Sequence, residues 1–542
     1  MSAGRSPRAL VLRRARIRPR ADERAATAIA LVDGRIVAVG SDQEAYAAVG
    51  SDAPTVDLRG KVVLPGFIDA HLHWTGYAMM RQRLALDPND SLADVQKRVR
   101  QRAAETAPGA WVLGRGWDHA SWGRWPTAAD LDAVAPYHPV ALTRKDGHVV
   151  LLNSAALAAA GITAETPDPE GGALERDGQQ PTGILKENAK NLLSGVVMPP
   201  EPWERQAAMV EAWPSAWCRG LTGAHDMGYD GHAIFRDLAT LREAGDLGLR
   251  FAWYLPEREL DDAVGLGLRS GLGDEWLHVG GLKLFLDGTL GSQTADMLAP
   301  YEGQPDNAGL AVLASEALQA RVAKAAAAGL ATAVHAIGDR ACRIALDAFA
   351  GLPVGGRAPL RHRIEHAQLV DPEDVRRFGD LGVVASMQPI HATVDMPIAE
   401  RFWGARAANA YAWRALLDGG AHLAFGSDAP IETLDVFAGI HAALTRQTPD
   451  GLPRDGWHPH QRLDVRQALS AYTLGAAWAA GQGANLGSLD VGKCADLIVL
   501  DRDPLEVPPA ELLAVRVLGT MIEGVWVWQA PGIDLAGPRS AP

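Results

Sequence analysis

Cysteine is scarce in this sequence. Only three occur among 542 residues, Cys218, Cys342 and Cys494, and they are far apart. An odd and scattered set excludes a disulfide framework and a zinc-cysteine cluster, and it is typical of reduced thiols in the cytosol. We therefore expect a cytoplasmic protein.

The sequence also lacks long apolar runs and an excess of basic residues. No run approaches the ~18 apolar residues that a membrane-spanning helix needs, so we expect no membrane partner. Lys and Arg number 52 against 65 Asp and Glu, a formal net charge of −13. Because no basic stripe stands out, we expect no nucleic-acid partner. The Arg-rich N-terminus has no apolar signal segment after it and favours a first β-strand.

Short strand patterns occur near both ends of the chain. Ala28–Val32 and Arg35–Gly40 are apolar runs joined by Asp33-Gly34, which predicts a hairpin. Similar runs lie between residues 486 and 528. Because chain ends often lie close together, we predict one small β-sandwich built from residues 1–64 and 485–542, with a loose C-terminal tail.

Residues 65–484 show a different pattern, in which strand-like runs alternate with Ala-rich helical stretches. The clearest strand-like runs are 277–285, 330–335, 363–366, 383–386 and 423–428, and one helical stretch is 316–328. This alternation predicts βα units around a parallel sheet. Residues 86–215, rich in Trp, Pro and Gly, fit less well. We predict that they form an insertion after the first barrel strand, as a lid or subdomain.

The most informative stretch is 64–74, Leu-Pro-Gly-Phe-Ile-Asp-Ala-His-Leu-His-Trp. Residues two apart in a strand share a face, so His71 and His73 should emerge side by side, with Asp69 as an acceptor on that face. Neutral imidazoles presented in pairs are good ligands for zinc and related metals. A chain with 16 histidines can contain this pattern by chance. The pair alone therefore does not establish a site.

Further candidate ligands follow near the ends of later strand-like runs: Lys283, His335, His366 and Asp428. Each alone has an ordinary explanation, as a surface lysine, a buried hydrogen-bonded histidine or a helix-capping aspartate. The complete set along one βα segment is hard to assign to chance. Active sites of (β/α)8 barrels are built from strand ends at one face, so the set indicates such a site.

These motifs resemble the amidohydrolase superfamily of metal-dependent hydrolases, in the branch with YtcJ-like proteins and N-substituted formamide deformylases. The motifs that carry the resemblance lie at 65–73, 283–294, 335–339, 364–366, 386–389 and 426–430. The resemblance covers residues 8–528. It implies an α/β fold: a (β/α)8 TIM-type barrel, a β-sandwich made from both chain ends, and an insertion after the first barrel strand.

The resemblance also implies one or two divalent metal ions, with zinc as the first expectation. His71, His73 and Asp428 would hold the more buried ion. His335 and His366 would hold the more exposed ion. Relatives in this superfamily are often homodimers, so a homodimer is an expectation as well.

Lys283 would bridge the two ions after carboxylation by carbon dioxide, because a bare ammonium has no lone pair for a metal. Its neighbours Leu282, Leu284 and Phe285 predict a buried strand, where an ammonium is costly and the lysine pKa is lowered. The alternative is an uncarboxylated Lys283 paired with an acid such as Asp287, beside a single metal.

The implied chemistry is hydrolysis of a non-peptide C–N bond, in an amide, N-formyl group, carbamate or related group. Metal binding lowers the pKa of water to roughly 7, and Asp428 would be the catalytic residue that takes its proton and passes it to the leaving amine. The same site would also suit an ester or lactone hydrolase or an isomerase. A non-catalytic assembly protein is the alternative from another class, although every ligand position here is filled.

Substrate recognition is less readable from the sequence. Trp117 lies in a Trp-rich segment and predicts either a pocket for an apolar or aromatic part of a small-molecule substrate or the core of the insertion. His148, Gln388 and His391 are polar candidates for contacting the substrate.

Overall fold

The computed structural model describes residues 9–20, 25–87, 89–119, 122–145, 148–169, 171–197, 200–228, 231–353 and 360–535. The chain divides into two compact units. One is Met1–Gly76 with Val210–Pro542, here called the barrel–sandwich unit, and the other is Tyr77–Met209, here called the insertion unit.

Eight parallel strands form the main sheet of the barrel–sandwich unit, and each strand pairs with the next along the chain. Their side chains are almost all buried on both faces, as expected for a parallel sheet covered by helices. The barrel strands are, in order, Phe67–Leu72, Leu221–Asp226, Arg250–Pro256, Leu277–Phe285, Thr332–Ala336, Arg363–His366, Val384–Met387 and His422–Phe425.

Backbone hydrogen bonds join the segments that follow the first and eighth barrel strands. The N–H of Asp428 donates to the carbonyl of His71 at 2.7 Å, and the N–H of His73 donates to the carbonyl of Ala429 at 2.8 Å. A Cβ on Gly426 would lie 2.4 Å from the His71 nitrogen, so this approach requires glycine. The eight strands therefore close into a ring, and the predicted TIM-type barrel is confirmed.

Helices alternate with the barrel strands, and their apolar faces are buried. In Asp339–Ala350, for example, Cys342, Ala345, Leu346 and Phe349 recur at helical spacing and are buried. The other α-helices of this unit are Asp42–Val49, His232–Ala244, Leu260–Gly265, Ser315–Ala327, Val375–Leu381, Pro389–Trp403, Trp413–Asp418, Val436–Thr445, Val465–Ala471 and Leu474–Ala479. Trp74–Gln82 and Pro202–Trp217 cross the limits between the units. Short 3-10 helices are Glu257–Glu259, Gly404–Asn409, Pro459–Gln461 and Pro509–Ala514.

The β-sandwich contains strands from both chain ends, as predicted. One sheet has the strand order Arg35–Gly40, Ala28–Val32, Ala9–Arg13, Thr55–Asp57. The other has the order Arg16–Ile17, Val62–Pro65, Leu497–Leu500, Val517–Ile522, Val525–Gln529. Leu12 and Ile29 of the first sheet share a buried core with Val63, Leu497 and Leu518 of the second. The predicted hairpin turns at Asp33-Gly34, where both residues have positive φ.

The insertion unit has its own six-stranded sheet and its own buried core. The strand order is Gly172–Asp177, Gln180–Glu187, Val149–Leu152, Val140–Arg144, Val112–Trp117, Leu84–Ala85. Its helices are Leu92–Glu105, Ala128–Asp132 and Ser154–Ala159, with a 3-10 helix at Asn188–Leu193. The predicted limits at residues 86 and 215, and the role of a lid, stay predictions.

Within the described ranges, no helix has both the length and the apolar character needed to cross a membrane. The predicted loose tail falls largely on residues 536–542, which lie outside the described residues. Cytoplasmic location stays a prediction.

A buried ion pair links the barrel to the sandwich, and it generates a stability prediction. Arg250 donates to Asp496 through Nε at 2.6 Å and through Nη2 at 3.1 Å, and both residues are buried. Asp496→Ala leaves the guanidinium without this partner, so we expect the free energy of unfolding to fall by about 3–5 kcal/mol. Chemical denaturation measures this change.

Asp261→Ala is the matched control, because it removes an ion pair with Lys324 in which the Asp261 side chain is 83% exposed. We expect a loss of at most about 1 kcal/mol in that variant. Equal losses in the two variants would contradict a structural role for the buried pair.

Candidate functional site

The barrel brings all six predicted ligand residues to the carboxyl ends of its strands. His71, Lys283, His335 and His366 lie within the first, fourth, fifth and sixth barrel strands, and His73 and Asp428 follow the first and eighth. The ring centre of His366 lies 4.8 Å from that of His71 and 4.6 Å from that of His335. The candidate side chains therefore form one cluster.

Among the residues that the structure describes, two groups could hold a metal ion, and the first is His71, His73 and Asp428. Their candidate ligand atoms all lie within 4.8 Å of one another. Asp428 Oδ1 lies 3.4 Å from His71 Nε2 and 3.5 Å from His73 Nε2. Asp428 has φ of 59° and His366 has φ of 73°. Such left-handed backbone costs roughly 1–3 kcal/mol at a non-glycine residue and clusters at functional sites.

His391 belongs to the second such group, with His366 and Asp428. His391 lies in the first turn of the helix Pro389–Trp403, which follows the seventh barrel strand, and its Nε2 lies 3.2 Å from Asp428 Oδ2. The sequence predicted His391 as a residue that contacts substrate, and this contact with Asp428 was missed. The sequence feature that could have indicated the contact is the position of His391 shortly after the end of a barrel strand.

The hydrogen bonds of three imidazoles determine which ring nitrogen carries a lone pair. Carbonyl and carboxylate oxygens only accept, so the ring nitrogen facing them carries the hydrogen. The contacts are His71 Nδ1 with Glu365 Oε2 at 2.6 Å, His366 Nδ1 with Gln388 Oε1 at 2.8 Å, and His335 Nε2 with the Gly288 carbonyl at 3.0 Å. The lone pairs are therefore on Nε2 of His71 and His366 and on Nδ1 of His335.

Glu365 and Arg363 are functional candidates that sequence reasoning missed. Both are fully buried in the sixth barrel strand, and Arg363 donates to Glu365 through Nε and, at 3.0 Å, through Nη2. Burial raises the pKa of Glu365, but the Arg363 charge and the hydrogen bond from His71 hold that pKa well below its usual range. The sequence feature that could have indicated them is the presence of two charged residues, Arg363 and Glu365, within a run predicted to be a buried barrel strand.

Three histidines of the cluster are held in their neutral form, His71, His335 and His366. Burial, and then the charge of Lys283, lowers the pKa of His71 to about 4 and that of His335 to about 3. Burial also acts on His391, but the hydrogen bond to Asp428 and the charges of nearby carboxylates together outweigh it and raise the pKa of that histidine. The neutral imidazole is the form that binds metals, so the cluster offers ready ligands.

Lys283 is buried in the cluster, as predicted. Burial lowers the pKa of its amine to about 8. Among the described residues, its Nζ has no hydrogen-bond partner. The alternative pairing with Asp287 is not formed, because the Asp287 carboxylate accepts backbone N–H groups of Ile337 at 3.0 Å and Gly338 at 2.8 Å. Nζ lies 4.8 Å from the centre of the Phe285 ring, which is a cation–π contact and not a hydrogen bond.

Two polar residues hold the cluster in place. Asp69 accepts the backbone N–H of His71 at 3.1 Å and that of Ser427 at 3.0 Å, so it supports the backbone and not an imidazole. Burial raises the pKa of Asp69 to about 6. Gln388 is buried against His366. Its contact with substrate stays a prediction.

Trp117 and His148 belong to the insertion unit. Trp117 is fully buried in the core of that unit, stacks on Trp122 with ring centres 5.6 Å apart, and donates its indole N–H to the Leu142 carbonyl at 2.7 Å. This placement matches the core-packing alternative. His148 is exposed and lies 2.9 Å from Glu187 through Nδ1. Its contact with substrate stays a prediction.

The donor chemistry fits divalent transition metals. Neutral imidazoles with one ionised carboxylate are typical of zinc sites, whereas magnesium and calcium prefer sets of oxygen ligands. The buried amine of Lys283 beside these donors agrees with this assignment, because a lysine carbamate would supply further oxygens. The residues present therefore fit one or two such ions.

Comparisons with known proteins agree with the fold and the cluster. A family profile described as "Amidohydrolase family" matches residues 54–528. The chain is 34% identical to Protein LONG AFTER FAR-RED 3 of Arabidopsis thaliana, covering 92% of this chain and 88% of that one. It is 32% identical to YtcJ of Bacillus subtilis, with 93% and 96% covered.

Two further matches are an enzyme and a crystal structure. The N-substituted formamide deformylase of Arthrobacter pascens is 30% identical, with 94% of this chain and 96% of that one covered. The crystal structure of an uncharacterized metal-dependent hydrolase from Pyrococcus horikoshii superposes with a TM-score of 0.79 at 30% identity, with 92% and 99% covered. The chain therefore belongs to the amidohydrolase family, as its motifs predicted, in the branch that includes YtcJ and N-substituted formamide deformylase.

Proposed function

We propose that this protein is a metal-dependent amidohydrolase that hydrolyses a non-peptide C–N bond of a small molecule, such as an amide, an N-formyl group or a carbamate. The observation that carries the proposal is the complete cluster of neutral imidazoles and one carboxylate at the barrel's strand ends. The N-substituted formamide deformylase among the relatives supports the choice of a C–N bond.

The proposed ligands are divided between two metal ions. His71, His73 and Asp428 hold one divalent ion, and His335 and His366 hold a second. Zinc is the proposed metal, because the donors are mainly imidazoles. When bound, such an ion lowers the pKa of water from 15.7 to roughly 7 and polarises a substrate carbonyl.

Asp428 is the proposed catalytic residue. Burial raises its pKa, but hydrogen bonds from His391 and His73 hold that pKa well below its usual range, so the carboxylate is ionised. An ionised carboxylate at this position can accept a proton from water and later deliver it to the leaving amine. His391 donates to one carboxylate oxygen of Asp428, Oδ2, and the other oxygen, Oδ1, faces His71 and His73.

Lys283 is proposed to carry a carbamate. Its buried Nζ lacks a hydrogen-bond partner in the described part of the chain, and its lowered pKa makes the neutral amine available to carbon dioxide. The product is an anion with two oxygens that can bridge two cations.

Phe285 supports an apolar or aromatic part in the substrate. It ends the fourth barrel strand, is 36% exposed, and its ring centre lies 5.2 Å from that of His335. An aromatic face beside the metal ligands offers apolar contact to an N-substituent or acyl group.

Two other functions would use the same fold. An ester or lactone hydrolase would need no change in the ligand cluster, since the cluster activates water without selecting the bond. A non-catalytic role is consistent with the Arabidopsis relative, whose name states no enzymatic activity. Both alternatives are outcomes of the first experiment below.

The first prediction from this proposed function is that zinc-loaded protein hydrolyses N-formyl, N-acyl or carbamate compounds faster than esters that share the same acyl group and substituent. His71→Ala with His73→Ala should abolish this activity and lower the zinc content. His460→Ala is the matched control, because this histidine is exposed. Turnover of the esters alone would contradict C–N hydrolysis. Zinc binding without any turnover would favour the non-catalytic alternative.

The second prediction concerns Asp428→Asn. Asparagine can still offer one oxygen to a metal but cannot take a proton, so turnover should fall by ~10²-fold or more while zinc stays bound. Steady-state kinetics and elemental analysis measure the two quantities. Asp450→Asn, at an exposed position, serves as the control. Near-parental turnover in Asp428→Asn would remove Asp428 from the proton transfer.

The third prediction concerns Lys283→Ala. The variant should lose activity and one equivalent of metal, and a short carboxylic acid should restore both, because its carboxylate can replace the carbamate. Lys324→Ala, which removes an exposed lysine, should show neither effect. A carbon-13 NMR signal from labelled carbon dioxide should appear in the parent and be missing in Lys283→Ala. Undiminished activity in Lys283→Ala would contradict the bridging carbamate.

A further inference from the structure

In three of the proposed metal ligands, His71, His366 and His335, one ring nitrogen is left for the metal and the other donates a hydrogen bond. The three acceptors of these hydrogen bonds differ in strength. The acceptors are a carboxylate for His71 at 2.6 Å, a side-chain amide oxygen for His366 at 2.8 Å, and a backbone carbonyl for His335 at 3.0 Å. Only the first acceptor carries a charge. The proposed sites are therefore supported unequally.

Glu365, the charged acceptor, is held rigidly by Arg363. The guanidinium contacts both oxygens of the carboxylate. Its other donors are also used. Nη2 shares its two hydrogens among Glu365, the Ala70 carbonyl and Ser386 Oγ, the last two at 2.5 Å each, and Nη1 donates to His225 Nδ1 at 2.9 Å and to Tyr254 Oη at 3.2 Å. A buried pair with every donor satisfied keeps the carboxylate in one place and charged.

A carboxylate that accepts the N–H of a metal-binding imidazole fixes the orientation of the ring and makes its other nitrogen a stronger donor. Removing such a partner typically weakens metal binding by 10–100-fold. A neutral amide or a backbone carbonyl has a weaker effect, because charge-assisted hydrogen bonds are roughly twice as strong as neutral ones.

We propose that Arg363 and Glu365 are positioning residues that make the site of His71, His73 and Asp428 the tighter of the two metal sites, so that it loads first. This inference rests on the proposed function, since it assumes that the cluster binds metal. It goes beyond that function by assigning the order of loading to a side chain that touches neither metal nor substrate.

The test measures the two zinc dissociation constants by competition with a chromophoric chelator. Glu365→Gln keeps an acceptor for His71 but removes the charge, so the first zinc should bind 10–100-fold more weakly while the second is unchanged. Gln388→Glu places a charge beside His366, so the second zinc should bind more tightly. In protein loaded with one equivalent of cobalt, the visible absorption should shift in Glu365→Gln and not in Gln388→Glu.

Tyr254→Phe is the matched control for a purely structural effect. It removes a 3.2 Å hydrogen bond from Arg363 Nη1 without changing Glu365. We expect parental zinc affinities and a parental cobalt spectrum in this variant. Equal weakening in Tyr254→Phe and Glu365→Gln would overturn the inference, because the effect would then follow any change in the network.

The outcomes separate this inference from the proposed function. A parent protein that binds no zinc contradicts the proposed function itself. A folded Glu365→Gln variant with an unchanged first affinity overturns the inference alone. The Glu365→Gln variant could fail to fold because Arg363 loses its counter-charge. In that case Gln388→Glu is the deciding variant, and an unchanged affinity for the second zinc in it would overturn the inference.

Discussion

Closure of the barrel between its first and eighth strands is the constraint on which the site depends. The same few residues form the joint and the ligand group, because Asp428 donates its backbone N–H to His71 while its carboxylate faces the His71 and His73 rings. Asp69 ties His71 to Ser427 on the opposite side of the joint. Backbone contacts therefore fix where His71 and Asp428 stand relative to each other.

Electrostatics of the cluster follow from its burial. Desolvation keeps His71 and His335 neutral and lowers the pKa of Lys283. Asp428 stays ionised through hydrogen bonds, and Glu365 stays ionised through the Arg363 charge and a hydrogen bond. The Glu365 charge is matched by Arg363. The Asp428 carboxylate faces the rings of His71, His73 and His391, so a cation at this position would add to the balance of its charge.

Much of the barrel and its ligand set could be predicted from the sequence, because strand periodicity and the position of strand ends are local properties. The runs at 277–285 and 363–366 match barrel strands, whereas the run at 423–428 ends as a strand at Phe425, since Asp428 adopts positive φ. The partner of His71 could not be predicted. Glu365 lies 294 residues away along the chain, and only lateral packing inside the barrel brings the two together.

Trp117 and His391 are two further residues whose contacts could not be predicted from the local sequence pattern. An aromatic cluster has the same pattern whether it packs a core or lines a pocket, and the indole of Trp117 is in fact enclosed by the insertion unit. His391 was expected to contact substrate, which stays a prediction, and the start of its helix after the seventh barrel strand also places it against Asp428. In both cases the neighbour across the fold, and not the local pattern, decides which groups the side chain touches.

If the barrel cluster holds zinc, the protein ligands of the metal are nitrogen and oxygen atoms. X-ray absorption at the zinc edge of the purified, zinc-loaded protein identifies these ligand atoms. We expect nitrogen and oxygen at about 2.0–2.2 Å with the outer scattering of several imidazoles. Scattering from sulfur at about 2.3 Å would place the zinc on cysteine instead and would rule out the barrel cluster as the metal site.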